Sequence, residues 1–185
     1  MRTERPTWAE LLRLPDAISW ISLVCGLLAL YVGLELQRFG AAFGLLFAAA
    51  VLDNCDGAVA RKLGLSRTFG GYFDTMVDTI IFLPVVSVLT YQLGLRFLPL
   101  HLAFNTCGAL RHARLLAYPE IKKHGVPSTI AGFAFPIAYA GAKWLDLDVP
   151  IVLGVIMAIH SVGMIARVDL LARHAPPAQP ENAAG

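Results

Sequence analysis

The chain is predicted to be an all-α integral membrane protein, with six transmembrane helices preceded by a short amphipathic helix at the membrane interface. Three observations lead there. Of 185 residues, 57% are hydrophobic and 15% charged, with a mean hydropathy of +0.63; soluble domains carry about 25% charged residues. Apolar runs of membrane-crossing length recur along the chain, as a hydrocarbon core about 30 Å thick requires. Lys and Arg collect between alternate runs, as they do in multi-pass proteins of fixed orientation.

Residues 1–15 form an N-terminal segment in which Thr7-x-x-Glu10 has the form of a capping box. Trp8, Leu11 and Leu12 then share an apolar side, with Glu10 and Arg13 on the polar one, so the segment reads as an interfacial helix or, alternatively, a plain linker. Pro15 leads into the first span, residues 16–36, which lacks a small-residue cleavage site and is expected to stay as a span. The second span, 39–62, contains Gly40-x3-Gly44, small residues that permit close helix contact. The third, 70–93, follows an eight-residue connection; the fourth, 97–117, carries Arg111 and Arg114. The fifth covers 127–145 and the sixth 149–171, giving a membrane domain over 16–173. The tail, 174–185, with Pro176, Pro177 and Pro180, has no apolar face and is expected to be disordered. No internal repeat is visible.

Six spans put both termini on one side of the membrane. Twelve of the fifteen Lys and Arg residues then share that side, leaving Arg38, Arg96 and Lys143 opposite. The positive-inside rule places the termini in the cytoplasm, in a multi-pass protein of the cell membrane. A net charge of +2 gives no reason to expect a nucleic-acid partner. Cys25, Cys55 and Cys107 all fall inside apolar runs and read as small buried hydrophobes, neither a disulfide framework nor a metal-ligand pattern. His101, His112, His124, His160 and His174 have no ligand spacing either; packing accounts for them, although His112 and His124 also fit beside a binding site.

The chemistry concentrates between Asp53 and Asp78. The stretch reads D-x2-D-G-x2-A-R-x8-G-x3-D-x3-D. At about 100° per residue, Asp53, Asp56, Gly57 and Ala60 share one helix face with Arg61 at its edge, and Gly70, Asp74 and Asp78 form a stripe on the next helix. Packed face to face, the two helices bring four carboxylates together. Each costs roughly 2.5–3.5 kcal/mol near the bilayer centre, so an uncompensated quartet approaches about 10 kcal/mol. Divalent cations that prefer oxygen ligands, Mg²⁺ or Mn²⁺, answer that demand. Buried ion pairs are the alternative, but Arg61 is the one nearby arginine for four acids, and the small residues would go unexplained.

This pattern resembles, at every fixed position, the signature of the CDP-alcohol phosphotransferases, integral-membrane enzymes that move a phosphatidyl or similar group from a CDP-linked donor to an alcohol and release CMP. The resemblance implies two metal ions held by Asp53, Asp56, Asp74 and Asp78, with Asp78 also the general base, and a homodimer. It further implies that Asp53, Gly57, Ala60, Arg61 and Gly70 meet the CDP-lipid. The family often offers a hydroxyl where this chain has Arg67; here Ser66 and Thr68 flank that position as candidates. Pro15-Asp16-Ala17-Ile18-Ser19 is similar to the family's Pro-Asn-x-x-Ser/Thr, which lies near the nucleotide, making Asp16 and Ser19 donor-site candidates; Asp16 fits a helix N-cap equally well.

For the acceptor, Cys107-Gly108-Ala109-Leu110-Arg111-His112-Ala113-Arg114 resembles the CGALRxAR segment of the family's serine-using members. Gly125-Val126-Pro127-Ser128-Thr129-Ile130-Ala131-Gly132 is similar to their GLPxPxAG segment, with Ser128-Thr129 where a second proline is expected nearby. L-Serine is therefore the expected acceptor, with Arg111, Arg114 and Ser128 as its candidate contacts. Arginine presents a planar fork to a carboxylate. The alternative for both arginines is snorkelling at the cytoplasmic end. Glycerol phosphate, inositol phosphate or another polar alcohol is the competing acceptor class. A cation transporter is the competing function, though it calls for acids spread through the bilayer depth or broken-helix repeats.

Overall fold

The computed structural model describes residues 14–64, 68–118 and 125–166, and of Leu14, Arg61, Thr68 and Phe69 the backbone alone. Among the described residues every regular element is helical: α1 (Leu14–Leu34), α2 (Phe39–Lys62), α3 (Thr68–Ile80), a π turn (Ile81–Val85), α4 (Val86–Gln92), α5 (Leu98–Ala117), α6 (Thr129–Trp144) and α7 (Val149–Ile165). The helix α3, the π turn and α4 are continuous and form one run. The runs Pro15–Leu34, Phe39–Ala60 and Gly70–Gln92 have the length and hydropathy to cross a bilayer, whereas Val149–Ile165 is a shorter apolar helix.

Two boundaries and the cysteines depart from expectation. Within the described residues the first helix runs from Leu14, so Asp16 lies inside the helix and is not its N-cap. The last helix ends at Ile165 because Ala166 turns out of helical geometry at φ −59°, ψ 141°; the expected extension to residue 171 lies outside the described residues, as do 1–13 of the interfacial segment and the whole tail. No cysteine is fully buried, and Cys55 is exposed. On an apolar helix surface that exposure is compatible with contact with lipid.

Local sequence accounts for the ends and faces of the helices. Asp148 caps α7 by accepting the Ile151 N–H at 3.0 Å, with Pro150 in the first turn, where a missing N–H costs nothing. Ile151, Val155, Ile159 and Val162 leave one stripe of α7 exposed, and Trp20, Val24, Leu27, Leu28 and Tyr31 do the same on α1. Stripes of this kind suit hydrocarbon, not water. Inside, Phe43, Phe82, Phe104, Phe135, Leu89 and Met157 are fully buried.

The middle of the bundle closes around the π turn. Pro84 lies within it and cannot donate to the backbone ladder, and the wider turn absorbs the misfit. Glycines from three other helices meet it: Gly26 of α1 against Ile81, Gly108 of α5 against Leu83, and Gly132 of α6 against Phe82. A Cβ on Gly132 would stand 2.5 Å from the Phe82 ring and 2.6 Å from the Ala50 methyl. Gly132→Ala is therefore expected to destabilise the protein by about 1–3 kcal/mol through overpacking. Gly44→Ala, whose Cβ meets nothing within 4 Å, serves as the control. Thermal unfolding of both variants in one detergent checks this, with the midpoint falling for Gly132→Ala alone.

Candidate active site

The site assembles at one end of α2 and α3, where acidic side chains from the two helices reach toward one another. Asp56 is buried, while Asp53 and Asp74 are half-buried. One carboxylate oxygen from each of the three lies within 4.8 Å of the others. Asp78, one turn further along α3, stands beside Asp53 and Asp74. The faces expected from helical periodicity are thus the faces that meet, and Gly57, Ala60 and Gly70 are half-buried on them.

Helix α1 contributes through its first turns. Ser19 donates a hydrogen bond to Asp56 Oδ2, and Ser22, one turn on, ties α1 to the Ala49 carbonyl at 2.8 Å. Asp16 is buried against α3, with Oδ1 only 3.0 Å from the point where Gly70 would carry a Cβ. Gly70 matters here because any side chain would push Asp16 away. Ser19 is therefore a support for Asp56.

Helix α6 contributes through its first residues. The Thr129 hydroxyl is 2.9 Å from Asp53 Oδ2 and 3.2 Å from Asp78 Oδ2, and the Ser128 hydroxyl is also 3.2 Å from Asp78 Oδ2. Gly125 sets this approach: its φ is +82°, and a Cβ would lie 2.6 Å from the Met164 carbonyl oxygen. The Val126 N–H bonds the Gly163 carbonyl at 2.9 Å, so the segment before Ser128 is pinned to α7. Thr129 was not legible as a site residue in the sequence. Its signal was a hydroxyl standing where a proline was expected.

Helix α5 supplies Arg111, buried near Asp78 and Arg114. Arg111 Nε, Asp53 Oδ1 and Asp78 Oδ1 are buried with no hydrogen-bond partner among the described residues. Arg114 is half-buried beside Arg111. His112 is buried between Thr79 and Ser128, at 2.6 Å and 2.7 Å. His160 packs against the Phe104 ring at 5.9 Å. Of the other candidates, Ser66 and Arg67 lie outside the described residues, as do His124 and His174, and the side chains of Arg61 and Thr68 are not described.

The donor chemistry suits a hard divalent cation. Every near ligand atom is a carboxylate oxygen, and Asp53 retains a buried oxygen without a partner. The fold and the site together define a membrane-embedded helical protein with a polar, oxygen-rich centre at one end of its helices. The chain belongs to the CDP-alcohol phosphatidyltransferase family, whose model matches residues 12–173, and is on that ground a transferase.

Relatives agree in kind. The chain is similar to the CDP-diacylglycerol–serine O-phosphatidyltransferase of Bacillus subtilis, at 30% identity over 69% of this chain and 71% of the relative. Against the enzyme of the same description from Mycobacterium leprae, identity is 35% over 56% of this chain, spanning only 36% of that relative's length. The archaetidylserine synthase of Methanothermobacter thermautotrophicus is 27% identical over 84% of this chain and 68% of the relative.

Thr129→Val keeps the shape and removes the hydroxyl shared by Asp53 and Asp78. Loss of a buried hydrogen bond to charged acceptors is expected to cost about 1–3 kcal/mol. Unfolding midpoints in the presence of chelator read that loss, and an unchanged midpoint would mean that the hydroxyl contributes nothing there.

Proposed function

We propose that the protein transfers a phosphatidyl or archaetidyl group from a CDP-linked lipid to the hydroxyl of L-serine, releasing CMP. The observation that carries this is the convergence of Asp53, Asp56 and Asp74 within 4.8 Å, with Asp78 beside them. The names of the relatives support serine as acceptor. Six spans, a homodimer and a site at the cytoplasmic face complete the proposal; the asymmetry of Lys and Arg supports that orientation.

Asp53, Asp56 and Asp74, with Asp78, would hold Mg²⁺ or Mn²⁺, two ions per site, and such ions neutralise the pyrophosphate and the departing CMP. The remaining work falls to the chain. Gly57 and Ala60 leave the backbone of α2 open to the cytidine diphosphate, and Arg61 is placed in sequence to pair with a phosphate oxygen. Asp78 takes the proton from the serine hydroxyl. The serine oxygen forms a bond to the lipid-bearing phosphorus as the bond from that phosphorus to the CMP oxygen breaks, and CMP leaves with the electron pair. Arg111, buried beside Asp78, is suited to hold the serine carboxylate.

Release of CMP from CDP-diacylglycerol, measured against a panel of unlabelled alcohols, tests the whole reaction. Serine is expected to be the preferred acceptor. Asp53→Asn, Asp56→Asn and Asp74→Asn are each expected to lower turnover by orders of magnitude in folded protein. Mg²⁺ or Mn²⁺ should also raise the unfolding midpoint of the native protein, since a ligand preferring the folded state stabilises it. Full turnover in excess chelator would defeat the metal assignment, and absence of CMP release with every alcohol would favour a transporter.

Arg111→Lys keeps the charge and loses the fork. The serine KM is expected to rise strongly with a smaller change in donor binding, as for an interaction present in ground and transition states alike. Ethanolamine, without a carboxylate, should be a poor acceptor for the native protein. A preference for inositol phosphate or glycerol phosphate would move the assignment to a phosphate-bearing acceptor.

A further inference from the structure

We propose that His112 is a positioning residue for Asp78, acting through Ser128; the inference rests on Asp78 being the general base. His112 is 3% exposed. Its Nδ1 is 2.6 Å from Thr79 Oγ1, its Nε2 is 2.7 Å from Ser128 Oγ, and Ser128 Oγ is 3.2 Å from Asp78 Oδ2. Four side chains from α3, α5 and the start of α6 thus form one unbroken chain ending on the base.

The Ser128 contact gives the chain its direction: in the role of general base Asp78 accepts, and the single Ser128 proton points to Oδ2. Ser128 Oγ must then accept from His112, which places the imidazole hydrogen on Nε2. The bare Nδ1 accepts from Thr79. The Thr79 hydroxyl also lies 2.7 Å from the Thr75 carbonyl, its alternative acceptor. With its hydrogen on Nε2, a neutral ring donates to Ser128 and accepts from Thr79.

The consequence is an asymmetric carboxylate. Oδ2 of Asp78 lies within reach of two hydroxyls, those of Ser128 and Thr129, while Oδ1 is buried with no partner among the described residues. The chain restrains one oxygen and leaves the other to meet the acceptor hydroxyl. Orientation of this kind raises turnover without adding binding.

The test uses the full-length protein in the CMP-release assay at saturating serine and Mg²⁺, with kcat taken per mole of protein that binds CDP-diacylglycerol. A glutamine amide reaches the level of Nε2 and can donate to Ser128; an asparagine amide reaches only the level of Nδ1. His112→Asn and His112→Leu are expected to lower kcat about tenfold, the loss of one well-placed hydrogen bond. Their KM for the CDP-lipid should stay within about twofold of native, a split that a purely structural residue would not give. His112→Gln should restore kcat to within about threefold of native. Combining His112→Asn with Ser128→Ala should be no worse than Ser128→Ala alone, because both break one chain.

Equal kcat for the Asn and Gln variants, unaltered kcat in the Leu variant, or multiplying losses in the double variant would each overturn the proposal. Asp78→Asn in the same assay keeps the two ideas separate. If that variant loses donor affinity together with turnover, Asp78 is chiefly a ligand and the base assignment falls; the Gln-over-Asn order still decides whether the chain through Ser128 exists.

Discussion

Negative charge concentrated at one end of an apolar bundle is the constraint on which the rest of this structure depends. Asp53, Asp56, Asp74 and Asp78 are expensive in a low-dielectric setting unless each finds a partner. The partners come from every side. Ser19 of α1 donates to Asp56, Thr129 of α6 reaches Asp53 and Asp78, and Arg111 of α5 is buried nearby. Among the described residues these hydroxyls and the Arg111 guanidinium soften the repulsion.

That electrostatic need sets the packing. Helix α1 joins the site through Ser19 on Asp56 and Ser22 on the Ala49 carbonyl, with Asp16 close against Gly70. Helix α6 starts at the site because Gly125 adopts a left-handed conformation against α7. The polar end is therefore held by short side chains and glycines, and the apolar end by aromatic rings such as Phe43 stacked on Tyr139 at 4.8 Å. Rigidity at the site comes from elements far apart in sequence, which suits a centre that must keep its geometry while a lipid donor comes and goes.

The all-helical class, the helix faces and the carboxylate cluster were legible because each rests on local spacing. Asp53, Asp56, Gly57 and Ala60 repeat with the helical period, as do Gly70, Asp74 and Asp78, and a period of 3.6 survives any tertiary arrangement. Thr129 and the link from His112 were not legible in the same way. Thr129 lies 76 residues from Asp53 and Ser128 lies 50 from Asp78. Nothing local announces such pairings. Asp16 fits a cap and a site residue equally well in the sequence, and only the structure puts it inside a helix that already includes Leu14. The apolar run from 70 to 93 read as one uninterrupted span because composition is blind to a change of helix type at Pro84.

That change of type gives the third run two independent halves. An α-helix would carry Leu89, eleven residues beyond Asp78, to within about 20° of the same azimuth. The π turn takes up one extra residue, roughly a 100° twist, and Leu89 instead meets Gly33 of α1. The half that aims carboxylates and the half that packs Leu89 against α1 thereby face different neighbours. The joint lets one continuous run present carboxylates to the site and, a few turns on, Val86, Leu89 and Thr90 to the core.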